Sequence, residues 1–104
     1  MIVVIFEFQP EPSLAARYFE LASVLREEVE QIDGFISVDR FQSVNDGSRY
    51  VSISTWRDRQ AVDRWREHLK HQAAQDEGKK TIFTSYRIRV AEVFKDYGDG
   101  CPTA

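Results

Sequence analysis

The strongest constraint in this sequence is a mismatch between its strands and its helices. Four runs rich in β-branched and aromatic residues read as strands: Ile2–Phe8, Phe35–Val44, Tyr50–Trp56 and Tyr86–Tyr97. Successive side chains of a strand point to opposite faces. In the first run Ile2, Val4, Phe6 and Phe8 fall on one face, with Val3 and Ile5 on the other. In the second, Ile36 and Val38 oppose Phe35 and Phe41. In the third, Val51 and Ile53 oppose Tyr50 and Trp56. In the fourth, Ile88, Val90 and Phe94 oppose Ala91 and Val93. A sheet wetted on one side alternates apolar and polar. Here both faces carry apolar residues, and the chain has two amphipathic helices, enough for one face. The second face calls for another layer, and the same face of a second copy supplies it, so a homodimer through the sheet face is expected. The alternative is a monomer with an apolar surface.

The helices are readable from spacing. Leu14, Tyr18, Leu21, Leu25, Val29 and Ile32 recur at steps of three and four, one face of an amphipathic helix. Pro12 or Ser13 suits its first turn, and Gly34 can supply its left-handed C-terminal cap. Asn45-Asp46-Gly47-Ser48 is a hairpin turn between the second and third strands. Asp58 can cap a second helix through Val62, Trp65, Leu69 and Ala73, which Gly78 interrupts; Thr81–Ser85 reads as a further short turn. The order strand-helix-strand, strand-helix-strand is the split βαβ arrangement. The fold class is therefore α+β: a ferredoxin-like βαββαβ chain, with a four-stranded antiparallel sheet and both main helices on one face.

At 104 residues the chain fits one domain, placed at residues 1–97, with 98–104 as a C-terminal tail. A net charge of −3 argues against a general nucleic-acid binder. Arg57, Arg59, Arg64 and Arg66 cluster, but Asp58, Asp63 and Glu67 interleave with them, as on a solvated mixed-charge face. No apolar run approaches the roughly 20 residues that span a membrane, and the apolar start lacks the features of a signal peptide. The single cysteine, Cys101, allows no internal disulfide, which fits a cytoplasmic location. It lies in a turn-rich tail far in sequence from either histidine and reads as a bystander thiol.

Chemistry-bearing residues concentrate in Trp65-Arg66-Glu67-His68-Leu69-Lys70-His71, which holds both histidines and one of the two tryptophans. Trp65, His68, Gln72 and Gln75 stand at i, i+3, i+7 and i+10 and share one side of the helix. Polar residues on a core-facing side need partners, because an unpaired buried polar group costs about 1–3 kcal/mol. A small cavity holding water or ligand would provide them. The plainer readings are that His68 bonds a backbone carbonyl at the helix edge and that Trp65 is core; His71 is expected to face solvent. His68-x-x-His71 lacks a third ligand with a fixed direction, so no metal is expected. No phosphate-binding glycine loop or Ser-His-Asp arrangement can be made from these residues. Glu11, Glu27 and Glu28 fall in a loop or on the exposed side of the first helix, where solvation is the ordinary role.

Asp33-Gly34-Phe35, Ser54-Thr55-Trp56, Trp65-Arg66-Glu67-His68 with His71, Ala73-Ala74-Gln75 and Tyr86-Arg87-Ile88-Arg89-Val90 occur in the order and spacing of a known pattern. From Ile2 to about Tyr97 the chain resembles the antibiotic biosynthesis monooxygenase family of dimeric α+β barrels. The resemblance implies an active cavity between the sheet and the helices of each subunit. One wall would carry Trp65, His68, Gln72 and Gln75, and the other Phe6, Phe8, Val51, Ile53, Ile88 and Val90, with Phe83 helping to set whether the cavity is open and Tyr86 or Arg87 at its mouth. The family includes haem-degrading enzymes, whose pattern has an Asn in the first strand and an iron-ligating His about ten residues after the helix Trp. Trp65 matches that Trp, but Gln75 stands at the His and Glu7 or Phe8 at the Asn. Gln is a poor iron ligand beside imidazole, so haem degradation is not expected. What the resemblance implies instead is a monooxygenase with no cofactor of its own, acting on a small aromatic or quinol-type ligand. His68 would be the catalytic base, and Trp65, Gln72, Gln75, Phe6, Phe83 and Tyr86 would bind substrate. The alternative is a non-catalytic, small-molecule-binding or stress-related dimeric barrel.

Overall fold

The computed structural model describes the backbone of residues 1–75 and 83–100, and the side chains of residues 1–70 and 84–100. Its elements run β1 (Ile2–Pro10), a single 3-10 turn (Pro12–Leu14), α1 (Ala15–Val29), β2 (Phe35–Gln42), β3 (Tyr50–Trp56), α2 (Arg59–Gln75) and β4 (Phe83–Glu92). The four strands form one antiparallel sheet in the order β2-β3-β1-β4. This is the ferredoxin-like α+β fold expected from the order of the elements.

Local chemistry explains most boundaries. Glu11 accepts from the Ser13 backbone N–H at 3.0 Å and also from the Ser13 hydroxyl, and Pro12 presets the first turn. Asp58 Oδ1 accepts from the Ala61 N–H at 2.8 Å, an N-cap that starts α2. In the β2–β3 hairpin Asp46 Oδ1 accepts from the backbone N–H and the hydroxyl of Ser48, at 3.0 and 2.6 Å. The Ser48 bonds hold the Asp46 carboxyl below its ordinary range.

Several boundaries differ from the sequence reading: β1 runs on past Phe8 to Pro10, and β2 stops at Gln42, short of Val44. α1 ends at Val29, and its chain continues in tight turns, with Ile32 N–H on Val29 O and Phe35 N–H on Ile32 O. Gly34, at φ +94°, therefore opens β2 and does not cap the helix. A Cβ there would lie 2.6 Å from the Ala61 Cβ, so this glycine is needed both for its backbone angle and for the approach of α2. Residues 83–85 are the start of β4 and not a turn. At its other end β4 stops at Glu92, leaving Phe94 and Tyr97 exposed in the tail.

Antiparallel partners share a face. Ile2, Trp56 and Phe35 lie in one row; Val4, Ser54, Val38 and Val90 in the next; then Phe6, Ser52, Arg40 and Ile88; then Phe8, Tyr50, Gln42 and Tyr86. This face meets the helices through two clusters. Ile2, Val29, Trp56 and Ala61 form one, with Ile32, Phe35, Val62 and Trp65 packed on it. Phe8 and Tyr18 form the other, with Phe6, Phe19, Leu21, Ala22 and Tyr50 around them. Phe35 is on the helix side, not opposite Val38, because the pairing slips between Phe35 and Ser37 and leaves Ile36 unpaired and exposed.

Candidate active site

α2 carries the one histidine whose side chain is described. His68 lies half-buried between the two helices. Its ring stacks on Trp65 at 5.4 Å with planes 17° apart, and Trp65 stacks in turn on Trp56 at 6.5 Å. Trp56 is sealed in the core at 1% exposure, and its indole N–H donates to Ser54 Oγ at 2.9 Å. The aromatic column thus runs from the sheet outward to an imidazole. At the outer end His68 Nε2 meets Glu28 Oε2 of α1 at 3.2 Å, with both side chains about one-third exposed.

Glu28 corrects the sequence reading, which placed it on the solvated side of α1. It follows Leu21 by seven residues and Leu25 by three, so it flanks the apolar stripe on the side that α2 covers. That spacing was the available signal. His68 bonds this carboxylate, where a backbone carbonyl was the plainer expectation.

The remaining expected residues divide. Phe6 and Tyr86 lie on the helix side and meet edge to face at 6.2 Å, but they belong to the Phe8 end of the sheet, away from the Trp56 end that holds Trp65. Tyr86, Ile88 and Val90 are 66, 55 and 56% exposed there. Ser52 and Ser54 occupy the rows between the clusters and leave low relief at the centre of the sheet. Val51 and Ile53 pair with Glu7 and Ile5 and so face away from the helices; they are not walls of a helix-side cavity. Arg87 pairs with Glu7 on that far face too, so it does not share the Tyr86 position. His71, Gln72, Gln75 and Phe83 have side chains outside the described residues, and Gly78, Thr81 and Cys101 are outside them altogether.

A second polar pair, Tyr18 and Arg40, lies toward the Phe8 end and has no counterpart in the sequence reading. Tyr18 lies beneath Phe8 at 4.9 Å, and Arg40 sits over the Phe19 ring at 4.7 Å. Burial pushes the Tyr18 phenol up, and the neighbouring Arg40 charge and hydrogen bond oppose that shift. At the other end of the molecule Arg57 grips Asp33 through both carboxylate oxygens at 3.2 and 3.1 Å, and Asp58 at 3.0 Å. The Arg57 bonds hold Asp33 below the usual carboxylate range. The Ala61 N–H, and then Arg57, do the same for Asp58. This clasp joins the β2 entry to the α2 cap and is structural. The exposed shallow depression lined by Gln60, Asp63, Arg64 and Glu67 is a mixed-charge surface of α2 with no chemical convergence. Among the described residues, no three His, Cys, Asp or Glu side chains converge on a metal position, and no helix is long and apolar enough to cross a membrane.

The comparisons with known proteins agree with this architecture. Residues 1–77 match the family described as antibiotic biosynthesis monooxygenase. A jasmonate monooxygenase of Pyricularia oryzae is 39% identical over 93 residues, covering 89% of this chain and 43% of that protein. The chain spans about half the length, or less, of the curated relatives it matches. Among solved structures, Rv0793 from Mycobacterium tuberculosis superposes with a TM-score of 0.75 at 23% identity, covering 93% of this chain and 98% of that one. A MhuD mutant with two manganese protoporphyrin IX molecules bound per active site gives a TM-score of 0.74 at 18% identity, covering 94% of this chain and 99% of that one. At these identities the structural likeness concerns the fold, and the porphyrin is a property of MhuD. With the family match extending over most of its length, this chain belongs to the antibiotic biosynthesis monooxygenase family.

Proposed function

We propose that this protein is a cofactor-independent monooxygenase for a small phenol or quinol, with His68 as the base. The observation that carries the reading is the half-buried imidazole set between a carboxylate and an indole. Deprotonating an electron-rich phenol makes an anion that reacts with oxygen directly. One oxygen atom enters the ring as a carbonyl and the other leaves as water with the two hydrogens the substrate loses. The protein's tasks are to take the proton, hold the anion and keep bulk water out. Trp65, stacked between Trp56 and His68, would shape the pocket from behind the imidazole. Phe6 and Tyr86, with Ile88 and Val90, offer an apolar floor along β1 and β4. Gln72, Gln75 and Phe83 complete the proposed substrate set.

The far face of the sheet supports a second part of the reading. Val3, Ile5, Val51 and Ile53 form an aliphatic centre there, with Phe41 52% exposed at its edge. Among the described residues, both helices pack on the opposite face. The proposed occupant is the same face of a second copy, giving a dimeric α+β barrel in the cytoplasm. The P. oryzae relative's name supports the reaction class, and jasmonate belongs in the substrate panel beside quinols and naphthols.

Oxygen uptake tests the reading. The expected result is saturable uptake with at least one panel member, lost in His68→Ala. Absence of uptake above the uncatalysed rate with every member, together with saturable binding of the same compounds, would favour a non-catalytic binding barrel instead.

A further inference from the structure

The contact between α1 and α2 at His68 has a chemical polarity that the functional reading does not use. The ring nitrogen that meets Glu28 is Nε2, at 3.2 Å. A carboxylate can only accept, so a neutral imidazole in this contact carries its proton on Nε2. The basic lone pair is then on Nδ1. Stacking on Trp65 at 5.4 Å, with planes 17° apart, restrains the ring against rotating to exchange the two nitrogens. Glu28 reaches His68 across 40 residues of chain and from a different helix, so the bond also fixes where α2 presents the ring.

We infer that Glu28 is a positioning residue that holds His68 in its Nε2–H tautomer and makes Nδ1 the atom that accepts the substrate proton. This rests on the reading of His68 as base, and extends it to a residue and an atom. A carboxylate opposite the reacting nitrogen also stabilises the imidazolium formed on proton transfer, as in hydrolase triads, where the wrong tautomer abolishes most of the rate. Glu28 would not touch the substrate.

The test separates the tautomer from the reaction. Long-range proton–nitrogen NMR of the whole chain at alkaline pH, with no ligand added, reads which nitrogen of His68 is protonated. The expected spectrum of the unaltered protein shows the Nε2–H form in excess. Glu28→Leu, of similar size without an acceptor, lowers that excess, and so does Glu28→Gln, whose amide can donate to Nε2 and favour the Nδ1–H form. Oxygen uptake with 1,4-dihydroxynaphthalene then gives kcat lowered roughly tenfold or more in Glu28→Leu, with KM within about twofold, because general-base catalysis is worth ~100-fold or more and depends on the protonation form. Far-ultraviolet dichroism and thermal melting check that the variant is folded. A His68 tautomer ratio unchanged by Glu28→Leu would overturn the inference, whatever the activity. So would an unchanged kcat in a folded Glu28→Leu protein whose His68→Ala counterpart is inactive. If the unaltered protein consumes no oxygen, the functional reading fails, and the tautomer ratio still decides whether Glu28 governs the ring.

Discussion

The two faces of the sheet are both apolar, yet they are built from different residues. The helix side is aromatic and uneven: Trp56, Phe35, Phe8 and Tyr50 at the two ends, with Ser52 and Ser54 between them. The far side is aliphatic at its centre, with Val3, Ile5, Val51 and Ile53, and charged at its rim, where Arg89 pairs with Glu7 at 3.0 Å. Large rings beside small hydroxyl residues make relief, which suits a helix layer and a ligand. β-branched residues of similar height make a flat surface, which suits another sheet. The difference teaches that one run of apolar residues serves two tasks, and that residue size, more than hydrophobicity, separates them.

Truncation on the helix side is the severest way to break this comparison. Trp56→Ala removes a 1%-exposed side chain that touches both Phe35 and Trp65, and it is expected to cost about 3–5 kcal/mol in urea unfolding. A loss below ~1 kcal/mol would mean that the helix layer does not depend on this cluster. Gly34→Ala meets the Ala61 Cβ from a positive-φ backbone and is expected to cost about 2–3 kcal/mol. If the same measurement finds it neutral, the close approach of α2 is not required.

The far side should respond differently. Ile53→Lys places a charge at the centre of the proposed dimer face and leaves the helix-side clusters untouched. Association is expected to weaken by on the order of a hundredfold, read as a shift from two chains to one in sedimentation at micromolar concentration, while the dichroism spectrum of the fold persists. A single-chain mass already present in the unaltered protein would remove the second-copy reading. The aliphatic face would then stand as the surface of a monomer.

The sequence made these faces legible to different degrees. Strict alternation in β1 and β3 assigned each side chain to its face, and β3 has the bounds the pattern indicated. β2 resisted, because the slip after Phe35 reverses the assignment of that residue, and nothing in the residue types marks a bulge beside Gly34. The candidate site was half legible. Trp65 and His68 share a helix, so their spacing predicts contact. Glu28 approaches from another helix, and helix-to-helix register is decided by packing across the whole layer and not by local spacing. Hydrophobicity alone makes Val51 and Ile53 candidates for cavity walls, but strand alternation places them beside Ile5 and Glu7 on the far face.

The smallest expected effects are those of pH, and they also divide by location. Asp33 and Asp58 titrate below their ordinary range when folded, so the stability they contribute is complete above about pH 4 and is lost as pH falls through their lower folded values. Both are exposed, so the acid limb of a stability curve should change only slightly in Asp33→Asn. Asp58→Asn should be gentler still, because Asn also caps a helix. Tyr18 works in the opposite sense. Its phenol is raised by burial, so its contribution is complete below about pH 10 and is lost as pH rises through the higher folded value, when the unfolded chain can ionise and the buried ring cannot do so freely. Tyr18→Phe keeps the ring that packs on Phe8 and removes the ionisation. The melting temperature of that variant is expected to fall less steeply than that of the unaltered protein above pH 10, and equally below it. Parallel curves on both sides of pH 10 would place the alkaline loss outside the helix-side clusters, and the Phe8 end would then be aromatic packing alone.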